Sequence, residues 1–133
     1  MQGQRLGEVT PRPTQDPVQR KFRLTRSEDF KRVRRYGKSF AHPLLVLVTQ
    51  ANEGTSVRVG LAAGRNVGTA VKRNRAKRLM RAALQSLIPI LVPGWDLILI
   101  ARPALVSSSL AETDEALQNV LRRAKLIFPK NAI

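Results

Sequence analysis

Residues 70 to 84 read AVKRNRAKRLMRAAL, gathering Lys72, Arg73, Asn74, Arg75, Lys77, Arg78 and Arg81 into a stretch without an acidic side chain. These residue types bind anions. A guanidinium grips phosphate with two parallel hydrogen bonds, an ammonium adds a point charge, and an asparagine amide both donates and accepts. At 100° per residue, Asn74, Lys77, Arg78 and Arg81 form a stripe at i, i+3, i+4 and i+7, opposite a core face of Ala76, Leu79, Met80, Ala83 and Leu87. Lys72, Arg73 and Arg75 crowd the first turn, where the helix dipole is already positive. Each such cation costs roughly 0.3–1 kcal/mol at an exposed site unless an anion neutralises it. A merely solvated face would mix signs, because Glu–Lys pairs at i, i+4 each add about 0.2–0.5 kcal/mol. With Arg65 from the preceding loop, residues 54 to 95 instead hold eight cations and no carboxylate. The pattern predicts a site for the phosphates of a folded nucleic acid, aided by the free N–H groups of the helix start.

Hydrolytic chemistry is not encoded beside this site. Phosphodiester hydrolysis by protein-held metal needs carboxylates that place two ions about 4 Å apart. Of the nine acids, Glu28 with Asp29 and Asp114 with Glu115 sit at helix starts, where they suit the dipole. The single histidine, His42, precedes a proline at a strand entrance and reads as a turn residue. There is no Ser, His and Asp constellation and no phosphate-cradling glycine loop, so no catalytic residue is assigned.

The elements that position the basic segment follow from the rest of the chain. Its 133 residues carry 24 Lys and Arg against nine Asp and Glu, a net charge of +15 that calls for a polyanionic partner. No apolar run reaches 18 residues, no secretory signal opens the chain and cysteine is absent, so a cytoplasmic protein without a membrane partner is expected. Residues 1–20, with three prolines, read as a disordered or loosely docked tail before a single RNA-binding domain over 21–133.

A first helix of about three turns is predicted from Ser27 as N-cap to Gly37, with Phe30 and Val33 on its apolar face. PLLVLVTQ (43–50) and SVRVGLAA (56–63) read as strands joined in a hairpin through ANEGT. The basic helix follows, ended by the prolines of IPILVPGW, then a buried strand at DLILIARP (96–103). A last helix begins with a capping box from Ser109 to Glu112 and runs on an apolar stripe of Leu110, Leu117, Val120, Leu121 and Ile127. The expected class is α+β, with one sheet of about four strands covered by helices.

GRNVGTAVKRNRAKRLMR is similar to the Arg-Asn-Arg signature of the protein subunit of bacterial ribonuclease P, with Arg73, Asn74 and Arg75 as its triplet. RLTRSEDFKRVRRYGKSF resembles that family's first helix, VRVGLAAGRNVG its strand and loop before the signature, and GWDLILIARPAL its last strand, so the likeness covers about residues 22 to 128. The resemblance implies a small two-layer α+β sandwich with a mixed sheet in the order α-β-β-β-α-β-α and a left-handed β-α-β crossover around the signature helix. General rules alone would favour a right-handed one. It further implies a role beside a catalytic RNA that removes the 5′ leader of precursor tRNA by hydrolysing one phosphodiester bond. Arg65, Lys72, Arg73, Asn74, Arg75, Lys77, Arg78 and Arg81 would contact RNA, while Phe30 and Arg34 on the first helix would face the leader. Mg²⁺ would be held mainly by the RNA and none by the protein alone.

This chain departs from the pattern at three points. Arg34 stands where a second aromatic is usual, Val48 replaces a strand aromatic, and Asn66 replaces a loop cation. Stacking on an aromatic contributes about 1–3 kcal/mol per base, so charge carries more of the binding here unless Tyr36 or Phe40 substitutes. The alternative is a ribosomal-type structural RNA-binding protein. A DNA-reading helix-turn-helix is disfavoured by the strands flanking the basic helix.

Overall fold

The computed structural model describes residues 23–24, 27–52 and 54–127. The expectation for residues 1–20 lies outside them. Seven elements follow in chain order: α1 (Ser27–Tyr36), β1 (Lys38–Ala41), β2 (Leu45–Ala51), β3 (Arg58–Ala63), α2 (Ala70–Gln85), β4 (Trp95–Ala101) and α3 (Leu110–Arg123). This is the expected α-β-β-β-α-β-α order, with short 3-10 turns at Arg65–Val67, Ile88–Ile90 and Pro103–Ser107. No helix among the described residues is long and apolar enough to cross a membrane.

The four strands form one mixed sheet in the order β1-β2-β4-β3. β4 pairs antiparallel with β2 and parallel with β3, so that Leu47 and Leu61 both lie across from Leu99. The hairpin expected between residues 43–50 and 56–63 is therefore wrong: β4 lies between them. The apolar run WDLILIA has no alternation to spare a face for water, and a strand of that kind takes the centre of a sheet covered on both sides. The actual hairpin joins β1 to β2. His42 closes its turn, accepting at Nδ1 from the Leu44 N–H at 3.0 Å.

Strand alternation divides the apolar residues between two faces. Leu45, Leu47, Leu97, Leu99 and Ala101 meet α2 and α3 in the main core, with Ala76, Met80, Ala83, Leu84, Ala116, Leu117, Val120 and Leu121. Val48 and Ile98 face the other way and pack with Val33 of α1 and with Leu24. Helices thus cover both faces of the sheet, α2 and α3 on one and α1 on the other.

Both long helices have defined ends. The α3 capping box is present, with Ser109 Oγ accepting from the Glu112 N–H at 3.1 Å and Glu112 Oε1 accepting from the Ser109 N–H at 2.8 Å. The helix stops at Arg123, short of the predicted run to Ile127. Lys125 adopts φ 61°, its N–H bonds the Arg122 carbonyl, and the Leu126 N–H reaches back to the Leu121 carbonyl. That is a Schellman closure with lysine in the place glycine usually takes. Ile127 consequently packs from beyond the helix, and Leu110, expected in the stripe, is half exposed.

Candidate nucleic-acid interface

The approach to α2 fixes where its cations begin. Arg65 lies exposed on a 3-10 turn, and Gly68 follows with φ 134°, a left-handed conformation that a Cβ would strain. Thr69 then caps the helix by accepting from the Lys72 N–H at 3.3 Å, a cap that sequence reasoning missed. No acid stands in the first turn.

Along α2 the predicted residues are all present at the surface, but on two flanks. Lys77 and Arg81 turn toward α1, lining a cleft with Phe30, Gly60 and Leu61. Arg75 and Arg78 turn toward α3, lining a shallower groove with Leu79, Ala82 and Leu110. Leu79 is thus only half buried, and Leu84 takes the core place assigned to it. Arg75 Nε donates to the Val106 carbonyl at 3.0 Å, which steadies its guanidinium and leaves the two terminal nitrogens outside that bond. The side chains of Arg65, Lys72, Arg73, Asn74, Lys77 and Arg78 make no hydrogen bond or ion pair with any described residue.

The cleft has a volume of about 150 Å³. Phe30 lies across β3 at Gly60, where an added Cβ would fall 2.3 Å from the ring Cζ. The ring takes its seat because that residue has no side chain. Leu24, Val59 and Leu84 complete an apolar lining, and Arg23 joins Lys77 and Arg81 as a third cation. An unstacked base against Phe30 and phosphates against the cations is what such a lining accommodates. Arg34, one turn beyond Phe30, is exposed and does not line this cleft. Neither candidate substitute aromatic joins it: Tyr36 is 67% exposed with the Arg35 guanidinium 5.5 Å from its ring, and Phe40 packs on the α2–α3 core. Val48 is buried beneath α1.

Beside Phe30 stands a buried polar group that sequence reasoning did not single out. Asp96, fully buried at the start of β4, accepts from Arg58 Nε at 2.9 Å, Arg58 Nη2 at 2.8 Å, Arg32 Nη2 at 2.5 Å and Asn52 Nδ2 at 3.0 Å. Arg32 also bonds Gln50, and Asp29 pairs with both Arg32 (3.3 Å) and Arg58 (3.6 Å). Burial pushes the Asp96 carboxyl up, but the hydrogen bonds from Arg58, Arg32 and Asn52 outweigh it and hold the group below its ordinary value. The hydrogen bond to Asp96 raises Arg32 in return. A signal was available: a lone carboxylate in an apolar strand must be paired if it is buried. Among the described residues no three His, Cys, Asp or Glu side chains gather in a way that could hold a metal ion.

Comparison with known proteins matches this arrangement to one family. The ribonuclease P protein from Staphylococcus aureus superposes with a TM-score of 0.73 at 29% identity, covering 80% of this chain and 98% of that one. The one from Thermotoga maritima gives 0.69 at 28% identity, covering 76% and 96%. Among sequences, the ribonuclease P protein component of Herpetosiphon aurantiacus is 38% identical over 109 residues, 82% of this chain and 89% of its own. That of an Exiguobacterium species is 38% identical over 109 residues, covering 82% and 95%. These relatives decide against the ribosomal-type alternative. Since the ribonuclease P family model also matches residues 18–125, the chain belongs to the ribonuclease P protein family and is a subunit of an RNA-binding endoribonuclease of tRNA processing.

Proposed function

We propose that in this endoribonuclease the chain does the docking while a partner RNA does the bond breaking, in the cytoplasm. The surface of α2 and its entry loop, from Arg65 through Lys72, Arg73, Asn74, Arg75, Lys77 and Arg78 to Arg81, holds the catalytic RNA by its phosphates. The cleft between Phe30 and the Lys77–Arg81 flank takes the single-stranded 5′ leader of precursor tRNA, with Arg34 beside its path. Mg²⁺ belongs to the RNA, and no DNA partner is expected. The observation that carries the reading is a run of cations, among which Arg65, Lys72, Arg73, Lys77 and Arg78 have no counter-ion among the described residues, adjoining a cleft with one aromatic. Unneutralised charge on a helix start is stabilised by binding a polyanion.

Reconstitution tests it. The chain added to the matching catalytic RNA at low Mg²⁺ should increase both the affinity for precursor tRNA and the rate of its cleavage, and the chain alone should cleave nothing. Absence of any gain, or full-speed processing by protein stripped of RNA, would sink the proposal.

The cleft makes a separate prediction. Phe30→Ala should weaken binding of leader-bearing tRNA to the holoenzyme by roughly 5- to 150-fold, the worth of one stacked base, while leaving mature tRNA nearly unaffected. Equal losses for the two ligands, measured by equilibrium binding, would make Phe30 a core residue only.

A further inference from the structure

The structure assigns Asp96, acting through Arg32 and Arg58, as a positioning residue that holds Phe30 over Gly60 and so sets the shape of the leader cleft. The inference rests on reading that cleft as the leader site.

The geometry is local to Phe30. On β3, Arg58 stands two residues before Gly60 and on the same face. On β4, the paired positions are Asp96 and Ile98. On α1, Asp29 and Arg32 bracket Phe30. The Asp96 clamp therefore ties the helix to both strands within one turn of the ring, and Gln50 adds a third strand through Arg32. The rest of the α1 seat is apolar, Val33 on Val48 and Ile98. Apolar contact is non-directional and would let the helix slide or roll, whereas a carboxylate gripped by two guanidinium groups fixes one register.

Stability alone is a poor account of this clamp. Replacing a buried ion pair with well-packed apolar residues is often neutral or stabilising, so an acid placed in an otherwise apolar strand needs another reason. Gly60 supplies the complementary half, since any side chain there would occupy the space of the ring. The clamp fixes where α1 lies along the sheet, and the bare backbone fixes how deep Phe30 sits.

The test uses the holoenzyme reconstituted with its catalytic RNA, well below the unfolding temperature of each variant. The quantity read is the ratio of affinities for leader-bearing and leaderless tRNA. Asp96→Asn and Gly60→Ala should each lower that ratio by roughly five- to tenfold, within what one stacked base contributes, with affinity for the catalytic RNA alone unchanged. Arg32→Gln, at a side chain about a third exposed and so tolerated by the fold, should do the same. Combined with Phe30→Ala it should cause no further loss, because both changes act through one ring. A preserved ratio in folded Arg32→Gln and Asp96→Asn, or full additivity with Phe30→Ala, overturns the inference. A wild-type protein with no preference for leader fells the cleft reading itself, a result distinguishable from the other two.

Discussion

Glutamine at Arg73, Arg75 and Lys77 together should flatten the salt dependence of binding to the catalytic RNA by about two to three units of log Kd per log salt. Each neutralised phosphate releases counterions worth about 0.7 of a unit on single strands and 0.9 on duplex, and three contacts are removed. Between roughly 50 and 200 mM salt the unaltered protein should then lose about 20- to 40-fold more affinity than the variant. The structure explains why these cations are available: Arg73 and Lys77 have no partner among the described side chains, and Arg75 is steadied by the Val106 carbonyl with its terminal nitrogens outside that bond. Arg122→Gln on α3 is the matched control. It lies in a groove with Glu112 and Glu115, so its loss should leave the slope unchanged. Equal slopes for the triple variant and the unaltered protein, by filter binding across a salt series, would reduce the stripe to solvated surface.

The basic helix was legible because its message is compositional, eight cations without an acid over residues 54 to 95, and composition survives any error in element boundaries. The α3 cap was legible because Ser109 and Glu112 satisfy each other locally. What was not legible depended on partners distant in sequence. The 43–50 and 56–63 strands invite a hairpin, and only the later arrival of β4, more apolar than either, separates them. The end of α3 was hidden because Lys125 takes a left-handed conformation that sequence reading reserves for glycine or asparagine. The division of the stripe into two flanks was hidden for a similar reason: a helical wheel ranks residues by angle and is blind to what stands beside the helix. Phe30 and Lys77, on different elements, come to line one cleft only because β3 takes the sheet edge between α1 and α2.

Arg58→Met should destabilise the fold by about 3 kcal/mol at neutral pH, the lower end of what breaking a buried ion pair costs, because Arg32 and Asn52 remain on Asp96. The pH dependence distinguishes this cause from lost packing. In the unaltered protein the folded Asp96 carboxyl lies below its unfolded value of about 3.9, so the stability it confers is fully present above that pH and is lost as pH falls through the lower folded value. Unfolding free energy should accordingly decline below about pH 4. Without Arg58 fewer hydrogen bonds offset the desolvation of the buried carboxyl, so its folded value rises toward the unfolded one. The variant therefore has less to lose as acid protonates Asp96, and its deficit shrinks as pH falls from neutrality to below about 4. Urea denaturation across that range reads both curves. A deficit that stays constant with pH would show that the methionine disturbs packing alone and that Asp96 keeps its charge without Arg58.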